Sequence, residues 1–182
     1  PSITMNNDTV FEGEFLEYEI VMDIPSSRPT EIMIGSFNNT AIADLDFIPV
    51  STILIIDGTL DPSAPNTTTS FAIETLLDNL NEPDEEYLDV IGTVMTNNIG
   101  NIDLTKLGTI KDIDPYPFLS INNYTVVEGE TLEFTITMLN GQGEPMQNHL
   151  PIVFDIYTVD ITTTNNRDYE YFPITDSIPA SG

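Results

Sequence analysis

The stretch FLEYEIVM, residues 15–22, predicts the fold class of this chain. Apolar side chains occupy every second position of the stretch, and two of the positions between them are glutamates. The apolar set is Leu16, Tyr18, Ile20 and Met22. A two-residue period with one apolar face is typical of a β-strand that lies half buried in a sheet. The same reasoning, extended along the chain, predicts an all-β protein.

The stretch belongs to an internal repeat. Residues 1–22, PSITMNNDTVFEGEFLEYEIVM, align without gaps with residues 117–138, PFLSINNYTVVEGETLEFTITM. A second match relates ADLDFIP at 43–49 to NRDYEYFP at 166–173. The chain therefore contains two copies of one structural unit, the second offset from the first by 116 residues.

The repeat sets the expected domain boundaries. Residues 1–116 form a complete repeat, and residues 117–182 form the first half of a second. The counterpart of residues 71–114 is missing from the second copy, so either the chain is cut from a longer one or a partner strand completes the fold. The junction DIDPYP, residues 112–117, holds two prolines and predicts a short, stiff link.

Further segments have the composition of strands and are separated by turn signals. The other predicted strands are 30–37, 51–56, 68–77, 86–95, 103–111, 132–138 and 151–160. The turn signals are IPSSRP, GTLDPSAPN, NLNEPDE, TNNIGN and GQGEP. No stretch sustains a helical period. About seven short strands in a repeat predict tandem immunoglobulin-like antiparallel β-sandwiches, the second incomplete.

The charge of the chain excludes several kinds of partner. Its 30 acidic residues face only 4 basic ones, which gives a formal net charge of −26. Nucleic acids and anionic membranes both bind through basic patches, so neither is expected. No apolar run approaches the length of a membrane span. With 40% apolar residues, the chain can still form a packed core.

The carboxylates concentrate in predicted turns. The acidic turns are FEGE (Glu12, Glu14), ADLD (Asp44, Asp46), DNLNEPDE (Asp78, Glu82, Asp84, Glu85) and KDID (Asp112, Asp114). Turns of an antiparallel sandwich gather at its two ends, so a shared end would bring seven or more carboxylates together. Two like charges 4 Å apart cost about 1 kcal/mol in water and several times more at lower dielectric. A bound cation would remove this repulsion, whereas acidic turns that are merely solvated are the alternative.

The residue types favour calcium among possible cations. Calcium takes six to eight oxygen ligands in flexible geometry, whereas magnesium prefers fewer protein ligands and retains water. Zinc and copper prefer histidine or cysteine, and this chain has one histidine and no cysteine.

Four motifs of the chain resemble those of the Calx-β domain, the sandwich of sodium–calcium exchangers, of an integrin β subunit and of many bacterial surface proteins. The motifs are VFEGE, ADLDF, LLDNLNEPDEEYLDV and TIKDID. NEPDE is the most specific part, and the resemblance covers residues 1–116 and the first half of the second copy.

The resemblance implies a set of calcium ligands. They fall on Glu12, Asp46, Asp78, Glu82, Glu85, Asp112 and Asp114, with the Leu80 carbonyl as a further ligand. Asp84 is expected to point to solvent. In the second copy only Glu128 and Asp168 match ligand positions, which implies a partial second site. Ile113 interrupts the acidic run that the family often has near the end of its last strand.

The resemblance also implies a role. It is that of a calcium-binding repeat in an extracellular, multi-domain protein, which serves as a calcium-stiffened stalk or a cell-adhesion module. Large bacterial surface adhesins, among them those of gliding Bacteroidetes, are the most similar context. Adjacent repeats, surface polysaccharide and other surface proteins are the expected partners. A fibre subunit completed by strand exchange and a cytoplasmic calcium sensor are the alternatives.

An enzyme is not expected. The chain has no tryptophan to form a sugar-binding platform, no Gly-x-Ser-x-Gly motif and no phosphate-binding loop. Its one histidine, His149, lies in the predicted turn GQGEPMQNHLP, where an exposed loop position is expected rather than a general base.

Overall fold

The computed structural model describes residues 1–61, 66–96, 99–163 and 167–181. Parts of the predicted turns GTLDPSAPN and TNNIGN, and Asn166 of the second repeat match, lie outside these residues. The described residues form 15 strands and no helix, which confirms the all-β class. Among them, no helix is long and apolar enough to cross a membrane.

The strands are numbered in chain order. They are β1 (Ser2–Met5), β2 (Asp8–Phe11), β3 (Phe15–Met22), β4 (Thr30–Asn38), β5 (Ser51–Ile56), β6 (Thr68–Glu74), β7 (Leu80–Asn81), β8 (Glu86–Val94), β9 (Asn101–Asp103), β10 (Thr105–Lys111), β11 (Phe118–Ile121), β12 (Ile136–Leu139), β13 (Gln147–Asn148), β14 (Ile152–Ile156) and β15 (Ile174–Ile178).

The chain divides into two units. The first consists of Pro1–Asp78 and Pro83–Ile113, and the second consists of Asn79–Glu82 and Asp114–Gly182. The first unit thus ends at Ile113, whereas the repeat alignment places the domain boundary after Tyr116, and that boundary stays a prediction.

The first unit contains two sheets. A four-stranded sheet has the order β6-β3-β1-β9, and a five-stranded sheet has the order β2-β10-β8-β4-β5. The N-terminal segment supplies β1 to one sheet and β2 to the other. The last segment does the same in the same order, because β9 pairs in parallel with β1 and β10 pairs in parallel with β2. The prediction of one strand over 103–111 is therefore wrong: the chain changes sheets at Leu104.

The core of the first unit lies between its two sheets. In β3, every second residue is buried, as the sequence pattern predicts. The fully buried large side chains are Tyr18, Phe47, Ile3, Leu16, Ile20, Met22, Ile32, Ile34, Ile56, Ile73, Leu88 and Val90. The ring of Tyr18 stacks on that of Phe71, with the ring centroids 5.0 Å apart.

The second unit contains three two-stranded sheets: β11 with β12, β14 with β15, and β13 with β7. The prediction of a strand over 132–138 is wrong at its start, because β12 begins at Ile136. Its partner β11 ends at Ile121, which pairs with Ile136, so the ladder stops there. The predicted strand 151–160 is likewise too long, since β14 ends at Ile156, where its ladder with β15 also ends.

Candidate metal centre

Glu12 lies in the turn that joins β2 to β3. The backbone N–H of Glu14 donates to the carbonyl of Phe11 at 3.1 Å, and Gly13 takes the left-handed conformation with φ of 80°. The Glu12 side chain is buried, and its Oε1 accepts from the backbone N–H of Ile113 at 3.2 Å. The Glu12 carboxylate is therefore held against the segment that follows β10.

Asp46 lies in the turn before β5. Its Oδ2 accepts from the backbone N–H of Ile42 at 2.5 Å, and the carbonyl of Phe47 accepts from the N–H of Asp44 at 2.9 Å. Asp44 itself takes the left-handed conformation, with φ of 68°. Since Phe47 is fully buried, it anchors the turn in the core and places the buried Asp46 carboxylate at the end of the sandwich.

Glu86 is the first residue of β8 and lies on the strand face that points toward the core. Leu88 and Val90, two and four residues further on, are fully buried on that face. The pKa of Glu86 is raised to about 7, most of all by burial. The charge and hydrogen bond of Asp46 and the charges of Asp112 and Asp78 contribute the rest. Glu86 is therefore surrounded by other carboxylates rather than by cations.

Five carboxylates of the first unit thus come together, and we call them the acidic cluster. Its members are Glu12, Asp46, Asp78, Glu86 and Asp112. Carboxylate oxygens of Glu12 and Asp112 lie within 4.8 Å of each other, and so do those of Asp46 and Glu86. Each member comes from a different segment of the chain, which only the sandwich fold brings to one place.

The other predicted ligands are Glu85 of the first unit and three residues of the second unit. Glu85 is exposed; its Oε2 accepts from the hydroxyl of Tyr87 at 2.9 Å, and its Oε1 lies 3.5 Å from Nζ of Lys111. Leu80, Glu82 and Asp114 belong to the second unit, where the Asp114 carbonyl accepts from the side chain of Asn81 at 3.1 Å.

The predicted partial site and the one histidine also lie in the second unit. Glu128 and Asp168 are both exposed. His149 is partly buried, and its Nδ1 lies 2.7 Å from the carbonyl oxygen of Asn81. The assignment of Glu128 and Asp168 as ligands stays a prediction.

Sequence reasoning missed Glu86, although a signal for it was present. In EYLDVIGTV, residues 86–94, the buried positions Leu88 and Val90 set a two-residue period that includes Glu86. Glu86 is the first residue of the strand and lies an even number of residues before these buried positions. Its side chain must therefore point to the same side of the sheet as theirs. The prediction instead followed the spacing of the NEPDE motif to Glu85.

The chemistry of the acidic cluster fits a hard divalent cation. All five side chains offer carboxylate oxygens, which calcium and magnesium prefer. Sites for zinc or copper would use imidazole or thiolate groups, and none of the cluster members offers either.

Known proteins resemble this chain in structure. No protein-family model and no curated protein matches its sequence. The apo form of the CBD1 domain of Calx matches with a TM-score of 0.50 and 20% identity, over 63% of this chain and 100% of that one. CBD12 from CALX1.2 matches with a TM-score of 0.55 and 16% identity, over 98% of this chain and 72% of that one. The calcium binding domain CBD12 of CALX1.1 matches with a TM-score of 0.54 and 16% identity, over 99% of this chain and 71% of that one.

These matches define the class of fold. The chain has a β-sandwich fold of the Calx-β type, as its sequence motifs predict. At identities of 16–20%, the likeness concerns the fold.

Proposed function

We propose that the first unit is a calcium-binding domain and that the acidic cluster is its site. The observation that carries this proposal is the convergence of five carboxylates, among them Glu86, whose pKa is raised to about 7. Such a group of like charges destabilises the fold unless a cation neutralises it. A fold match, CBD12 of CALX1.1, is described as a calcium binding domain.

The fold supplies an oxygen-rich site of the kind that calcium uses. The buried carboxylates of Glu12 and Asp46 are already held by backbone N–H groups of Ile113 and Ile42, so their positions are set before any ion binds. Calcium would supply the positive charge that the cluster lacks. Of the further ligands that the sequence predicts, Glu85 belongs to the first unit and stays part of the proposal. Leu80, Glu82 and Asp114 belong to the second unit and stay sequence predictions.

The position of the site suggests a mechanical role. Asp112 follows β10, the last strand of the first unit, and Glu12 follows β2, which pairs with β10. An ion bound by both carboxylates would restrain the segment that leaves the first repeat. We therefore propose a non-enzymatic, calcium-stiffened stalk or adhesion module, in a repeat protein of the bacterial cell surface such as a gliding-motility adhesin. Adjacent repeats and surface polysaccharides or proteins would be its partners.

Isothermal titration calorimetry of the whole chain tests the calcium site. We expect calcium to bind, with weaker binding of magnesium, and we expect Asp112→Asn to weaken calcium binding at least about tenfold, which is 1.4 kcal/mol. Asp84→Asn is the matched control, because Asp84 is exposed in the neighbouring acidic loop. No heat of calcium binding, or equal losses for both variants, would contradict the proposed site.

A second candidate function rests on the second repeat. Leu132 and Phe134 are 45% and 50% exposed, although their counterparts in the first repeat are buried. A strand from a neighbouring molecule could cover them, and the chain would then be a fibre subunit. Sedimentation velocity would show an open-ended series of assemblies that Phe134→Thr abolishes, whereas a monodisperse monomer at high concentration would exclude it.

A further inference from the structure

The five-stranded sheet of the first unit has an apolar outer face, which is turned away from the core. Seven large side chains on this face are between 38% and 54% exposed. We call them the outer apolar face; they are Met33, Phe37, Ile53, Ile55, Ile91, Met95 and Leu107. They come from four neighbouring strands or their ends: β4, β5, β8 and β10.

Strand register makes these side chains contiguous. Met33 of β4 lies opposite Ile53 of β5, and Gly35 of β4 lies opposite Ile91 of β8. A Cβ on Gly35 would lie 2.9 Å from the ring of Phe37, so this ring covers the glycine. The apolar side chains therefore adjoin across Gly35, whereas Asp89 lies between Phe37 and Leu107, and Glu31 lies beside Ile55.

The outer face of the four-stranded sheet provides the contrast. Its strand β3 turns Glu17 and Glu19 outward, and the paired strand β6 turns out Ala72 and Ser70 opposite them. This sheet thus has one apolar and one polar face, which is typical of an antiparallel sheet open to water. Strands β4 and β5 carry large apolar side chains on both faces, although Glu31 and Ser51 also point outward. Apolar residues on both faces are typical of strands that are covered on both sides.

The size of the outer apolar face is that of an interface. Seven large side chains, each about half exposed, present on the order of 600 Å² of apolar surface. Soluble monomers rarely expose contiguous apolar patches beyond a few hundred Å². A stable interface of standard size buries about 800 Å² on each partner, so the apolar side chains of this face would supply most of that area.

We propose that this face binds the same face of a second copy of the chain. The reason is charge: the chain carries a net charge of −26, so two copies repel each other over most of their surfaces. Among the described residues of β4, β5, β8 and β10 that point outward with the outer apolar face and lie opposite its members, the charged ones are Glu31 and Asp89. A self-complementary contact with twofold symmetry brings together two carboxylates from each copy here, out of the 30 acidic residues that each chain carries. This contact is independent of the calcium site.

Sedimentation velocity of the whole chain, over a range of concentrations, tests the proposal. We expect a monomer–dimer equilibrium that tightens when sodium chloride is added, because salt screens the repulsion between the copies. The double variant Met33→Thr/Ile53→Thr, which keeps residues compatible with a strand, should weaken dimerisation at least about tenfold. The matched control is Val21→Thr, on the outer face of the other sheet, where Val21 is 36% exposed; it should dimerise like the unmodified chain.

Three outcomes would overturn the proposal. They are a monomer at millimolar concentration, dimerisation that the double variant leaves unchanged, and assemblies larger than a dimer that only Phe134→Thr abolishes. Circular dichroism of each variant shows that it is folded. If the double variant does not fold, Ile55→Thr provides the same test on a neighbouring strand position.

Discussion

The two copies of the repeat form the same hairpin, but the first copy buries more of it. In the first copy, Ile3 of β1 pairs with Met22 of β3. In the second, Leu119 of β11 pairs with Met138 of β12, and both residues lie at the offset of 116 that the sequence repeat predicts. The strand register is thus a property that the repeated sequence carries with it.

The turns between the hairpin strands are also the same. The N–H of Glu14 donates to the carbonyl of Phe11 at 3.1 Å, and the N–H of Glu130 donates to that of Val127 at 3.1 Å. In both copies the side chain of this glutamate accepts from the backbone N–H three residues earlier, again at 3.1 Å. The EGE motif therefore sets the turn by local hydrogen bonds alone.

Burial differs between the copies because it depends on other strands. Leu16 is fully buried, whereas its counterpart Leu132 is 45% exposed. In the first unit, β6 pairs with β3, and the buried side chains of β8 and β10 belong to the same core. In the second unit, β11 and β12 pair with each other and with no other described strand. The comparison shows that local sequence forms the hairpin and that non-local strands enclose it.

Removing the leucine from each copy should give the largest difference. We expect Leu16→Ala to lower the free energy of unfolding by about 2–5 kcal/mol, since it leaves a cavity in a closed core. Leu132→Ala should change it by less than about 0.5 kcal/mol, as for an exposed site. Urea unfolding followed by circular dichroism measures both, and equal losses would contradict the difference in burial between the copies.

Replacing the first glutamate of the EGE turn by glutamine in each copy compares how much the two turns contribute to calcium binding. The Glu12 side chain is buried in the acidic cluster, whereas Glu128 is exposed. At a hundredfold excess over Kd, calcium should stabilise the chain by about 2.7 kcal/mol. Glu12→Gln should remove most of this gain, and Glu128→Gln should leave it intact. Thermal unfolding with calcium and with chelator gives the gain, and an equal loss in both variants would argue against a site confined to the first unit.

The acidic cluster also predicts a dependence on pH. The pKa of Glu86 rises from 4.5 to about 7 in the folded state. Without calcium, the folded state binds more protons than the unfolded state between these values, so the free energy of unfolding should fall as pH rises through 7. Calcium requires the ionised carboxylate, so its affinity should fall below pH 7, by at most about tenfold per pH unit.

Glu86→Gln separates this effect from the titration of other groups. The variant should flatten both pH dependences, whereas Glu170→Gln, at an exposed position of the second unit, should leave them unchanged. Calorimetric titrations at several pH values measure the calcium affinity. A pH dependence that Glu86→Gln does not reduce would mean that another group titrates.

The turn glycines should give the smallest difference. Both Gly13 and Gly129 have positive φ, at 80° and 95°, so alanine should cost about 1 kcal/mol at either position. A Cβ on Gly13 would also lie 3.2 Å from the Cβ of Leu77, whereas none of the described atoms lies within 4 Å of one on Gly129. Gly13→Ala should therefore be the more costly in urea unfolding, and the reverse order would contradict the turn geometry.

The local alternation of apolar residues predicted most strands well. The errors arise where the bounds of a strand depend on pairing with strands distant in sequence. The strands β3 and β5 begin and end at the residues that the alternation predicts. The change of sheet at Leu104 could not be predicted, because it depends on which strands β9 and β10 pair with. The prediction of 132–138 as a strand began too early for a similar reason, since the start of β12 is set by its pairing with β11.

The candidate site was predictable in part. Glu12, Asp46, Asp78 and Asp112 were predicted as calcium ligands from motifs, and the structure brings these side chains together. Whether they bind calcium stays a prediction. Glu86 was missed because the motif spacing was followed and the strand phase was not. The surroundings of Glu85, between Tyr87 and Lys111, depend on the pairing of β8 with β10, which the sequence does not specify.

Thermal unfolding of the unmodified chain in calcium, in magnesium and in chelator tests the central claim most directly. The claim is that the acidic cluster of the first unit binds calcium. We predict a clear rise in the melting temperature with calcium over chelator, and a smaller rise with magnesium, because ligand binding stabilises the folded state. Identical melting in calcium and in chelator would contradict the claim and would leave the carboxylates as a solvated rim of a structural sandwich.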